Sequence, residues 1–424
     1  MSMRSSVPAT IMMLVFAGSG HGQVLMEPCS PRTDREVHPP PALPELPSAG
    51  GVFRDPTFCT SILRVTDERD GRYFQTAYSY WPTFNRDSTR IYLLQDDDGL
   101  RAWTYEFDAR RFRVSGKSAV LDVPAPNGES PRTEDAIWSG MAADELYCYA
   151  GPGLWTYNVT ARAYALVRDF TTEIGDGHLR QMSRSVDDNV FAFTTLNRRF
   201  RVTGSLVWRR SDNRVIVRPD EPEGLDEVQI DKSGRYLVIK TGGSGDGAVQ
   251  VRVLDVETGA VAELTDGPPD YAPGHGDCGF GTIIGYDNWL NRLRSRRLSD
   301  PHSRKTVFNL GDDWTQDIHV SLLGDDPAWM LLSLYTQSAD CDVPAGLFRD
   351  EILLMRTDGS EAVRRLAHHR SCVGEYWDSP RANLSRDGRF AAFTSNWGGA
   401  DRRDVFLLRT GGDVPPQSER RVGP

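Results

Sequence analysis

The sequence predicts an all-β protein, a seven-bladed β-propeller in which an N-terminal strand closes the last blade. Three observations lead there. From about Val52 onward, short β-rich runs alternate with Gly, Asp, Asn and Pro turns, and no long stretch carries helical periodicity. A strand–turn–strand unit recurs along the chain, and a repeat period of about 40–50 residues is that of a propeller. Two segments at opposite ends of the 424-residue chain share one form, as a ring closed between its termini requires.

The clearest unit is Pro380-Arg381-Ala382-Asn383-Leu384-Ser385-Arg386-Asp387-Gly388, running on to Phe390-Ala391-Ala392-Phe393 and Thr394-Ser395. A strand ends at Leu384, and the Asp-Gly pair supplies the positive-φ residues of a tight hairpin. The same grammar recurs from Trp81 to Tyr92 and from Glu227 to Val238, with weaker copies at 137–149, 180–193 and 319–333. A second strand pair follows each strong copy, as at 249–266 with its Glu257-Thr258-Gly259 turn, giving four strands per blade. Units open near Tyr80, Ala136, Leu179, Leu225, Gly274, Asp317 and Pro380; the one at Gly274 shows no Asp-Gly hairpin. The last unit stops after Asp404–Thr410 without an outer strand, and residues 61–67 have the form of the outer segments 260–266 and 361–367. They are expected to complete the final blade.

The flanks differ in character. Residues 1–22 read as a secretory signal, with Arg4, an apolar run from Val7 to Ala17 and small residues before Gln23. The apolar run is shorter than the ~20 residues that span a bilayer. Residues 23–51 form a proline-rich arm containing Pro39-Pro40-Pro41, residues 52–412 the propeller, and 413–424 a tail. A secreted or periplasmic monomer is expected, with no membrane span after signal cleavage. In an oxidising compartment the six cysteines are free to pair; Cys341 with Cys372 and Cys29 with Cys59 are the first expectations, buried free thiols the alternative. The net charge of −10 argues against nucleic acid as a partner.

In a propeller, residues that precede each innermost strand gather around one mouth of the central channel. The repeat register places Trp81, Trp138, Arg180, Gln181, Glu227, His275, Asp277, His319 and Arg381 there. His275 lies between two glycines, where an imidazole can point inward as general base or metal ligand, or bond a neighbouring carbonyl. His319, close to Asp317, is a second candidate for both roles, or a strand residue tying blades together. Arg381 suits a ligand carboxylate through its guanidinium fork, or an ion pair to Glu227 or Asp277. Trp81 and Trp138 fit sugar stacking or blade packing. The weakest candidate is His178, and His368-His369 is expected in an outer loop. No nucleophile elbow, Walker loop or His-Glu-x-x-His pair occurs.

The 380–395 unit resembles the TolB-type, WD-repeat-like propeller repeat, with its Ser-x-Asp-Gly hairpin followed by an Ala-Phe-Thr-Ser strand. Within that superfamily the histidine placement is similar to that of oligogalacturonate lyases. That resemblance implies a divalent manganese-type ion, held mainly by histidines, and β-elimination of a uronate; from the residues themselves the cofactor is left open, with manganese and calcium the candidate ions. At comparable places stand His178, His275 and His319, with Gln181 and Gln316 nearby; no His-x-His pair occurs near His319. Two functions follow as expectations. One is a propeller that binds a glycan or protein partner at its mouth without turnover. The alternative is a uronate lyase with His275 or His319 as base and Arg381 neutralising the carboxylate.

Overall fold

The computed structural model describes residues 31–218, 225–241, 250–267 and 271–411. The expected signal at 1–22, Cys29 and the tail at 413–424 lie outside them. Seven antiparallel sheets follow one another along the chain, six of four strands and one of five. Their innermost strands are Phe74–Gln75, Ile137–Trp138, His178–Arg184, Leu225–Ile230, Gly276–Cys278, Gln316–Ser321 and Asn383–Leu384, and we number the blades one to seven in that order.

The hairpins show how the repeat works. In blade seven, Ser385 Oγ accepts from the Phe390 backbone N–H at 3.0 Å and donates to Asp387 at 2.7 Å, while Gly388 takes φ 70°. In blade four, Asp231 accepts from the Tyr236 N–H at 2.8 Å and from the Gly281 N–H of blade five at 2.8 Å. A short polar side chain thus replaces the missing ladder partner and fastens one blade to the next. Blade five, without an Asp-Gly pair, turns instead through Phe280-Gly281, with Gly281 at φ 63°.

Blade one departs from expectation. Its inner strand begins at Phe74, upstream of Tyr80, pairs at Gln75 with Leu94, leaves the ladder, and rejoins it where Phe84 bridges Ile91. The excursion between folds back on itself through a Tyr78–Trp81 bridge and carries Tyr78, Tyr80 and Trp81 toward the axis. Ring closure matches expectation: Ser61–Arg64 pairs with Asp404–Arg409. Val52–Arg54 then adds a fifth strand to blade seven, a three-residue segment too short to stand out in the sequence.

Apolar residues of facing sheets fill the spaces between blades, for example Leu63, Phe74, Phe84, Phe107, Phe112 and Phe390 at the seven-to-one junction. The arm lies along blades six and seven, where Arg365 donates to Asp34 at 3.1 Å and Trp397 Nε1 to the Pro44 carbonyl at 3.0 Å. Cys341 and Cys372 are disulfide-bonded, as expected. Cys59 is disulfide-bonded too, and its expected partner Cys29 is outside the described residues. Cys148 and Cys278 are buried free thiols. Among the described residues no helix is long and apolar enough to cross a membrane.

Candidate functional site

The loops that lead into the inner strands form the mouth, and blades five, six and one supply its centre. His275, on the loop before Gly276–Cys278, is partly exposed, and its Nδ1 lies 3.3 Å from Asp317 Oδ1. Asp317, one residue into the inner strand of blade six, also accepts from the Ile318 N–H at 2.7 Å and from the Tyr335 hydroxyl at 3.0 Å. Burial works to raise the Asp317 pKa, but the His275 hydrogen bond and charge prevail and hold it at about 2. For His275 the balance is reciprocal: burial lowers its pKa, Asp317 more than restores it, and the net shift is upward.

His319 behaves differently although it touches His275. Its ring stacks between His275, at 4.9 Å and 18°, and Tyr335, at 5.0 Å and 16°, with the edge of Tyr78 at 5.0 Å. It is 1% exposed and neither ring nitrogen has a hydrogen-bond partner. Burial and the neighbouring His275 push its pKa well below the usual imidazole value. A neutral, stiff ring results, wedged beneath a titrating one. The carboxylate next to His319 in sequence therefore orients His275 instead.

The other expected residues divide. Glu227 is at the mouth, where Tyr80 and Lys240 both donate to it. Arg180 is exposed at the mouth with Gln181, which is partly buried. Arg381 is fully buried, donating from Nη2 to the Trp377 carbonyl at 2.7 Å, with its guanidinium 4.4 Å from the Trp377 ring and 5.5 Å from Tyr376. Its Nε and Nη1 have no partner, it pairs with neither Glu227 nor Asp277, and burial lowers its pKa to about 10.

Trp138 packs between blades, and Trp81, though mostly buried, reaches the pockets of the mouth. Both are buried, and their Nε1 groups donate to the carbonyls of Met182 and Thr83, each at 3.1 Å. Asp277 lies deeper in the channel, accepting from the Cys278 N–H at 2.7 Å and the Leu322 N–H at 2.6 Å, with burial raising its pKa to about 6. It ties blade five to blade six. His178 stacks on Phe200 at 4.4 Å. His368 ends the outer strand of blade six, not a loop, because burial against Phe58 and a 3.0 Å bond to the His38 carbonyl hold it there.

Sequence reasoning missed Tyr78, Tyr80, Lys240, Glu134, Tyr335 and Tyr376. Tyr78 and Tyr80 arrive through the broken inner strand of blade one; Lys240, Tyr335 and Tyr376 come from second strands and connecting loops that the inner-strand register does not index.

Three adjoining pockets cross the mouth. One of about 540 Å³ is lined by Arg132, Glu134, Arg180 and Phe200. The second, of about 420 Å³, holds Tyr80, Glu227, Lys240, His275 and Tyr376, and shares Trp81, Glu134 and Gln181 with the first. A third, of about 930 Å³, contains Trp314, Gln316, Asp317 and Arg349, and shares Gly274 and His275 with the second. His275 thus forms the wall between two pockets. Neither Arg132 nor Arg180 makes an ion pair among the described residues.

The residues at hand do not suit a divalent ion shared by His275 and His319. Ring nitrogens bind metals in the ring plane, and two nearly parallel planes 4.9 Å apart do not converge their lone pairs on one point. Among the described residues, the only three ligand-type side chains that converge are Asp34, Glu36 and His38 on the arm. There Arg365 already donates to Asp34 and to the Glu36 carbonyl.

No known sequence family and no curated protein matches the chain. Among solved structures it is similar to an oligogalacturonate lyase from Vibrio parahaemolyticus, with a TM-score of 0.61 and 11% identity over 85% of this chain and 96% of that one. It is also similar to an oligogalacturonate lyase solved in complex with manganese, with a TM-score of 0.62 and 12% identity over 88% and 99%. At such identity the likeness shows the seven-bladed fold alone.

Proposed function

We propose that the mouth binds an acidic oligosaccharide and cleaves it by β-elimination, with His275 as the base. One observation carries this reading: a solvent-reachable imidazole is fixed by Asp317 on the wall between two pockets, beside a third pocket whose Arg132 and Arg180 make no ion pair. Elimination needs a base near the carbon that bears the uronate carboxylate, and cations for that carboxylate. His275 takes the proton, the C–H electron pair becomes the new C=C bond, and the glycosidic oxygen leaves and takes a proton from water. Arg132, Arg180, Lys240 and Arg349 are the cations that line the pockets, while Arg381 adds positive potential from behind Tyr376 and Trp377. A metal ion has no step in this scheme. The fold shared with two oligogalacturonate lyases is consistent with the reaction class. Export from the cell and action as a monomer belong to the same reading.

A second reading, glycan binding without turnover, is favoured by one fact: Lys240, which lines the central pocket together with His275, is already neutralised by Glu227. Unsaturated product from uronate oligomers, with its loss in His275→Ala, separates the two.

A further inference from the structure

We propose that the mouth is the middle of a cleft for a linear oligosaccharide of at least three sugar units, stacked on Phe200, Tyr376 and Trp314. The inference rests on the glycan reading above and adds ligand length and the side chains that measure it. These three are the most exposed aromatic side chains among the described residues, at 55%, 56% and 56%. Each lines a different one of the three adjoining pockets. Exposed aromatics scattered singly need no explanation, but three placed one per pocket along one cleft do. Sugars present apolar C–H faces between hydroxyl edges, and a flat ring with polar groups at its rim matches that pattern.

The platforms are held in place. Phe200 sits at φ 57°, a conformation costly for a bulky residue, and its ring is stacked on His178 at 4.4 Å and 13°. Tyr376 stands on a helical turn, edge-on to Trp377 at 5.0 Å and above Arg381. Trp314 lies between Asp313 and Thr315, both hydrogen-bonded by Arg349, the latter at 2.9 Å. Each pocket falls in the ~300–1,000 Å³ range of a complete small-molecule site, so one sugar ring leaves most of the cleft unused.

The test is calorimetric titration of His275→Ala protein, which does not consume its ligand, with oligogalacturonates from dimer to hexamer and with a neutral cello-oligosaccharide ladder. Affinity is expected to climb with length, and Phe200→Ala or Trp314→Ala to weaken hexamer binding about 3- to 10-fold while flattening that climb. Both side chains are exposed, so circular dichroism should show unchanged folding. If only the neutral ladder shows the length dependence, the cleft stands and the acidic reading fails. Should neither ladder show it, or both substitutions leave hexamer affinity unchanged, the cleft is overturned.

Discussion

His275 and His319 stack on each other at 4.9 Å, yet their environments drive their titrations apart. Asp317 raises the first, while burial without a hydrogen-bond partner depresses the second. Groups in contact whose pKa values are pushed in opposite directions are a frequent signature of acid–base sites. If His275 is the base, kcat/KM rises with pH through an inflection above the ordinary imidazole value of about 6.5. Asp317→Asn removes the upward cause and leaves burial in charge, so the inflection should move to lower pH; an unmoved inflection would exclude His275 as the titrating base. His368, far from the mouth, gives a stability prediction. Burial pushes its pKa to about 3, so below about pH 6.5 the unfolded chain binds a proton that the folded one refuses. Stability is therefore lost as pH falls from 6.5 toward 3, at about 1.4 kcal/mol per unit for this group. Urea melts at pH 6.5 and pH 5 should differ by about 1.6 kcal/mol from His368 alone, and His368→Gln should remove that share.

At the level of elements, the repeat was legible because its hairpin is built from local chemistry. Ser385, Asp387 and Gly388 each do something the backbone requires, so the pattern reappears wherever the turn does. The broken inner strand of blade one was not legible. Its start depends on where Gln75 finds Leu94 across the sheet, and the Trp81 motif that resembles a strand start belongs to the returning half. The site was half legible for the same reason. Inner-strand register brought His275, His319, Glu227, Arg180 and Gln181 to the mouth, but it carries no information on second strands, so Lys240 and Tyr335 were missed. Nor does it say which side chains are needed for packing, hence Trp81, Trp138 and Asp277. Closure of the ring invites a direct comparison. Leu63, in the closing strand, is fully buried, whereas Val52, in the added fifth strand, is 51% exposed. Leu63→Ala should cost about 2–5 kcal/mol and Val52→Ala less than about 0.5 kcal/mol, read from denaturant melts. Equal losses would mean that the ring is not closed by Ser61–Arg64.

For the whole molecule, one ring of blades places residues more than two hundred positions apart on a single face, and the closing strand joins the two ends of that ring. A net charge of −10 does not by itself prevent such a face from drawing an acidic ligand: Arg132 and Arg180 line one pocket without an ion pair among the described residues, while Lys240 in the next is paired with Glu227. The measurement that bears most directly on the account is ultraviolet detection of unsaturated uronate when purified protein is mixed with oligogalacturonate, alginate and glycosaminoglycan oligomers. Wild type should release unsaturated product from at least one of them, and His275→Ala should lose it by about 10²-fold or more. Absence of product from all three, or full product formation by His275→Ala, would contradict the assignment of this mouth as a β-eliminating site.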